Sequence, residues 1–323
     1  MGYHQKLFKL FENYFGEEPS EVIDLAGGAS ERKIVRLKSQ RYNCIGIHNE
    51  NIKENIAFCE FSRTFKSYGF NVPEILFIDS DYKIYLEEDL GDVTLHSYSI
   101  LEKSRFKIIE HHIQALNDLL DFQFKGIKII NFDLCYQTKQ FNIEQILLDE
   151  NKFLENYLKL FRKDLYNDIN IGDFKDLNIK LTEQNDLYFM YRDFQPRNIM
   201  IFNEKNYYID YQSGRKGPLQ YDIASFLYSS SICINDEERE YLFHHYKNLI
   251  DRKGISEKIF MDYYYEFALI RIIQMLGSYG LIYSNTNDNY QIERIKKGLR
   301  NLGSVLNELP ENNLYKKLRK LVN

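Results

Sequence analysis

Residues 189–228 read FMYRDFQPRNIMIFNEKNYYIDYQSGRKGPLQYDIASFLY. The stretch carries a carboxylate at Asp193, an amide at Asn198 and, after an apolar run and a turn, a second carboxylate at Asp210. The apolar run Ile199 to Phe202 and the run Tyr207 to Ile209 flank the polar turn Asn203 to Asn206. That pattern predicts a short β-hairpin, which returns Asn198 and Asp210 to the same end. Two acids and an amide so placed suit phosphoryl transfer, which asks a protein mainly for positioning and charge neutralisation. Asp193 is the candidate to orient an acceptor hydroxyl and take its proton. Asn198 and Asp210 offer hard oxygens of the kind Mg²⁺ accepts. Asp and Asn are also common turn formers, and D-x-x-x-x-N alone arises often by chance. The joint pattern, with I-D about twelve residues on, is much rarer and matches the catalytic loop and metal aspartate of kinases.

YRDFQPRN with YYIDYQ resembles the aminoglycoside and choline phosphotransferase family, a branch of the protein-kinase-like fold. That family usually has His where this chain has Tyr191. Further on, IDYQSGRKGPLQYDIASFLY, with Gly217, Pro218, Tyr221 and Asp222, is similar to the amino-sugar kinase branch, whose members phosphorylate N-acetylmuramate and N-acetylglucosamine. LIRIIQMLG, Leu269 to Gly277, resembles a helix of the same branch. The resemblance implies an α+β bilobal fold, with a small antiparallel β lobe and a larger, mainly helical lobe. Residues 1–88 are expected to form the nucleotide-binding lobe, and 89–323 the catalytic and acceptor-binding lobe. ATP with Mg²⁺ would bind in the cleft, with Asp193 as the base and Asn198 and Asp210 on the metal. Gln195, Arg197, Asp222 and Arg271 are candidates for substrate or support roles.

Working outward, composition bounds the other classes. The 323 residues suffice for two domains or one bilobal unit. Charged residues at 28% and hydrophobic residues at 44% are those of an ordinary soluble protein. A net charge of -5 leaves no basic footprint for nucleic acid. Cys44, Cys59, Cys135 and Cys233 are scattered without a C-x-x-C pair, which argues against zinc and a disulfide framework and for a reducing, cytoplasmic setting. No signal peptide is evident, and no run is read as a membrane span.

Upstream, residues 3 to 15 alternate as an amphipathic helix expected to dock on the small lobe. Gly27, Gly28, Ala29 and Ser30 then precede a β-branched run. Two glycines let a backbone approach phosphates closely, although a plain hairpin turn has the same composition. With the family resemblance, this turn is expected to cover the nucleotide. The next strand, Tyr42 to His48, lacks the lysine that kinases use on the α and β phosphates. Arg32, Lys33, Arg36 and Lys38 on the preceding strand are the available cations. Glu54 to Tyr68 shows helical spacing ended by Gly69, and Glu60 reads as a solvated carboxylate without its usual lysine. Two short runs, Ile75 to Asp79 and Lys83 to Glu87, lead into Glu88-Asp89-Leu90-Gly91, which in the family marks the hinge; Glu88 and Leu90 are therefore expected at the adenine.

Residues 101 to 124 predict a long core helix, and 127 to 185 a mixed insertion. Asp222 opens a helix, where it reads as an amino-terminal cap or as a brace for the catalytic loop. Arg271 reads either as a snorkelling surface arginine or as a contact for an anionic acceptor group. The leading reading is a kinase that phosphorylates a sugar hydroxyl, with a cell-wall amino sugar as acceptor. The alternatives are an aminoglycoside or choline-type phosphotransferase, and a non-catalytic nucleotide-binding pseudokinase motivated by the missing lysine. Oligomeric state stays open.

Overall fold

The computed structural model describes residues 2–25, 32–184 and 186–322. The chain forms two compact units, each assembled from several segments. The first comprises Met1–Leu101, Lys128–Lys139 and Arg197–Gly214; the second Glu102–Ile127, Gln140–Pro196 and Arg215–Asn323. The class is α+β, as expected.

The first unit is built on a five-stranded antiparallel sheet, β1 (Glu21–Leu25), β2 (Lys33–Lys38), β3 (Asn43–His48), β4 (Ile75–Ile78) and β5 (Ile84–Glu87), in the order β1-β2-β3-β5-β4. Helix α1 (Tyr3–Phe15) buries Leu7, Leu10 and Phe11 against Val35, Leu37, Cys44, Ile84 and Leu86. Gly46 makes this approach possible, since a Cβ there would lie 2.8 Å from Leu7 Cδ2. Helix α2 (Ile52–Ser67) starts at Asn51, whose side chain accepts from the Glu54 N–H. It stops in a Schellman arrangement: Phe70 N–H donates to Phe65 O and Gly69 N–H to Lys66 O, with Gly69 at φ +82°.

The hairpin expected downstream is present in this unit as Ile199–Phe202 paired with Lys205–Tyr208. Its turn is tighter than the four residues read from sequence. Asn203 and Glu204 both take positive φ, 49° and 59°, which closes the hairpin in two residues and lets Lys205 and Asn206 join the strand. The hairpin is anchored by Ile201 N–H to Val93 O and Tyr208 N–H to Asn71 O.

The second unit is helical around Glu257–Thr286, which is largely buried and packs on the helices Ile143–Phe153, Leu219–Leu227 and Tyr290–Glu308. By length and composition that helix could cross a membrane, yet 72% of its apolar window is buried within the protein, as in a core helix. The predicted helical run Ile143 to Phe161 is interrupted by a π turn at Leu154–Leu158. There the two backbones nearly touch: a Cβ on Gly280 would lie 2.1 Å from Asn156 O. A three-residue strand, Tyr188–Met190, pairs antiparallel with Arg215–Gly217 and frames the catalytic-loop sequence.

Candidate active site

The first unit holds the metal half of the candidate site. Asn198 immediately precedes the hairpin and Asp210 follows it. Asn198 Nδ2 donates to Asp210 Oδ2 at 3.0 Å, and Ile209 N–H donates to Asn198 O at 3.0 Å. Asp210 has φ +69°, a conformation that non-glycine residues adopt rarely and that tends to persist at functional sites. The next residue holds it there: Tyr211 is buried, stacks on Phe58 and shares a 2.6 Å hydrogen bond with Ser62 of α2.

Around this pair runs a polar chain. Gln212 Nε2 donates to Asp210 Oδ1 at 2.9 Å and to Glu54 Oε1 at 3.3 Å. Glu54 also pairs with Arg32 and accepts from Asn49 Nδ2. Arg32 Nη1 lies 3.7 Å from Asp210 Oδ1. Neither Glu54 nor Gln212 was singled out in the sequence, where nothing but the position of Glu54 in the first turn of a helix marks it. Glu60 instead pairs with Arg63 on the exposed side of α2.

The donors fit a hard divalent cation. Asn198 contributes an amide oxygen and the half-exposed Asp210 a carboxylate, the set Mg²⁺ takes when phosphates and water complete its shell. Among the described residues no cluster of three or more His, Cys, Asp or Glu forms a metal cage, and a phosphate-shared Mg²⁺ needs none. Gly27, Gly28, Ala29 and Ser30 lie outside the described residues.

At the hinge sequence, Glu88 N–H donates to Glu74 O and its carboxylate accepts from Lys66 Nζ and from Glu74 N–H. Glu88 is thus tied to the start of β4, while Leu90 is buried. Asp89 is fixed by Arg36 of β2, through Nε at 2.7 Å and Nη2 at 3.0 Å, and Arg36 also reaches Asp92. Glu87 was not anticipated: burial pushes its carboxyl up to about 8 against the pull of Arg32, and its Oε2 is buried with no hydrogen-bond partner among the described residues.

The second unit holds the base half. Asp193 Oδ1 accepts from Arg271 Nη2 at 3.2 Å, with Asp193 27% and Arg271 2% exposed at the side chain. The surface reading of Arg271 therefore gives way, because it is buried and donates to Asp193. Its Nε donates to Ser225 Oγ at 3.0 Å, and Nη1 to Gln274. Asp222 does not cap its helix, which begins at Leu219 after Pro218. It braces the catalytic loop, accepting from Tyr191 N–H at 2.7 Å and Arg192 N–H at 2.9 Å. Burial lifts the Asp222 carboxyl to about 7, opposed by those two backbone bonds.

Arg192 has φ +81° and its Nη2 reaches both oxygens of the buried Asp149, at 2.7 and 2.8 Å. Tyr191, standing for the usual His, is fully buried between Phe122 and Phe194. Burial lowers the Lys152 ammonium, with Asp149 and Asp193 pulling the other way. Gln195 Oε1 accepts from Ser229 Oγ at 3.3 Å. Arg197, in the first unit, lies 3.3 Å from His96 Nε2 through its Nη2.

No family model and no curated protein matches the chain. Solved structures do. A choline kinase, LicA, from Streptococcus pneumoniae superposes with a TM-score of 0.66 at 15% identity, covering 94% of this chain and 100% of that one. A spectinomycin phosphotransferase in complex with ADP and spectinomycin gives 0.59 at 14% identity, covering 98% of each chain. A Plasmodium vivax ethanolamine kinase gives 0.57 at 15%, covering 86% of this chain and 82% of that one. At such identities the likeness establishes the fold, which this chain shares with these small-molecule kinases. None of the three is an amino-sugar kinase.

Proposed function

We propose that this chain is an ATP- and Mg²⁺-dependent phosphotransferase that moves the γ-phosphoryl group to a hydroxyl of a sugar, with a cell-wall amino sugar as acceptor. The observation that carries the reading is the Asn198–Asp210 pair at the open end of one hairpin, with Asp210 held at positive φ. A scaffold that only bound a nucleotide would have no use for a strained carboxylate beside an amide oxygen. Asp193 is five residues before Asn198 in the chain, as the transfer requires.

In this reading residues 1–88 serve the nucleotide and 89–323 the chemistry and the acceptor. Gly27 to Ser30 cover the phosphates, and the segment at Glu88 and Leu90 meets the adenine. Asn198 and Asp210 hold Mg²⁺, which supplies charge neutralisation on the phosphate oxygens. Asp193 orients the acceptor hydroxyl and takes its proton late, since an alcohol is a far weaker acid than a carboxyl group. Arg271 aims that carboxylate. Asp222 fixes the loop that carries it.

Charge supports a sugar over a cationic acceptor. A polycationic or quaternary-amine substrate calls for uncompensated carboxylates, or an aromatic cage, near the transferred group. Here Arg271 already compensates Asp193. Cys44 and Cys59 are buried thiols, which suits a reducing cytoplasm.

The test is ADP release by purified protein given MgATP and a panel of amino sugars, aminoglycosides and choline-like alcohols. Turnover is expected with sugars, and Asp193→Ala should lower kcat by about 10²- to 10⁴-fold. Turnover confined to choline-like alcohols or aminoglycosides would move the acceptor to those classes. Silence across the panel would return the chain to the scaffold reading.

A further inference from the structure

The phosphotransferase reading leaves a gap: β3 reads NCIGIH and carries no cation for the nucleotide's phosphates. Four cations near β2 could fill it, and the structure separates them. Arg36 is committed to Asp89 and Asp92, Lys38 pairs with Glu21, and Lys33 is exposed. Arg32 differs from all three. Its side chain is 12% exposed, it pairs with Glu54, and its Nη1 lies 3.7 Å from Asp210.

We propose that Arg32 is the phosphate-reading cation of this chain, entering from the end of β2 and held by Glu54, in place of a β3 lysine. The proposal rests on the phosphotransferase reading. Its position is the first support: Lys33 pairs with His48 at the end of β3, so Arg32 stands one residue beyond that end, two residues along the sequence from the Gly27–Ser30 stretch expected to cover the phosphates.

The second support is how Arg32 is held. Burying a guanidinium is costly unless it is paired, and one carboxylate would meet that need. The arrangement goes further. Glu54 is itself fixed by Asn49 and Gln212, and Gln212 donates on to Asp210, which contacts Asn198. Arg32 is thereby wired to the metal carboxylate through side chains of one unit. Its Nε is buried with no hydrogen-bond partner among the described residues. A planar fork with donors to spare, beside a carboxylate that holds Mg²⁺, suits a polyphosphate better than a purely structural ion pair.

Calorimetric titration of ADP and of adenosine, without Mg²⁺, into wild type, Arg32→Ala and Arg32→Lys tests this. Wild type should bind both. Arg32→Ala should lose about 10- to 100-fold in ADP affinity while adenosine affinity stays within a factor of about two. Equal loss for both ligands, or no loss for ADP, overturns the proposal, the first because Arg32 would then only build the site. Arg32→Lys keeps a cation and should lose less ADP affinity than Arg32→Ala; should Arg32→Ala not fold, Arg32→Gln decides by the same comparison, a loss confined to ADP supporting the role and none refuting it. If wild type binds neither ligand, the phosphotransferase reading itself has failed, an outcome distinct from the others.

Discussion

Glu87 is the residue whose chemistry is most displaced by its surroundings. Its carboxyl titrates near 8 in the folded chain, through burial, against about 4.3 when unfolded. Between those values the unfolded state loses its proton while the folded state keeps it, so stability falls as pH rises from about 4 to 8 and levels off above. The Glu87 contribution to that fall is on the order of 4 kcal/mol. Denaturant midpoints measured from pH 5 to 8.5 should therefore drop more steeply for wild type than for Glu87→Gln, which cannot ionise. Parallel curves would mean that Glu87 is not held protonated. Nothing in the sequence pointed to this residue, because IYLEEDLG reads as a strand entering an acidic turn and spacing alone does not show burial.

At the scale of elements, one charged clamp in the first unit and one close backbone approach in the second hold the packing. The acidic turn at residues 88–92 looks like a solvated linker, yet Asp89 is 4% exposed and locked bidentate by Arg36. Asp89→Ala would leave a buried guanidinium with only Asp92 and should cost about 3–5 kcal/mol by urea denaturation. In the helical unit, Gly280 faces the carbonyl of Asn156, and a backbone cannot step aside as a side chain can. Gly280→Ala is expected to destabilise by about 1–3 kcal/mol despite the better helix propensity of Ala. Gly303→Ala, whose nearest neighbour is a Val322 methyl at 3.2 Å, is expected to be near neutral in the same assay. The helices themselves were legible where apolar spacing was regular, as for α1 and α2. The π turn was not, since it answers to a glycine more than a hundred residues later.

For the whole molecule, the functional proposal makes a thermodynamic demand. A ligand that binds only the folded chain stabilises it by about 2.7 kcal/mol at a hundredfold its Kd. ADP should raise the unfolding temperature, Mg²⁺ should add a further increment, and Asp210→Asn should remove that increment alone. Survival of the increment in the variant would take Asp210 off the metal. The sequence by itself determined the fold class and the meeting of Asn198 with Asp210, because that meeting depends on local spacing: a hairpin must return its ends together whatever packs on it. Only the tertiary structure decided what each charged group is for. Arg32 meets Glu54 across 22 residues, Arg271 meets Asp193 across 78, and the compact units are stitched from segments that are distant in the chain. Ion-pair choice is set by burial and by which side chains the fold brings within a few ångströms, and one-dimensional spacing carries neither.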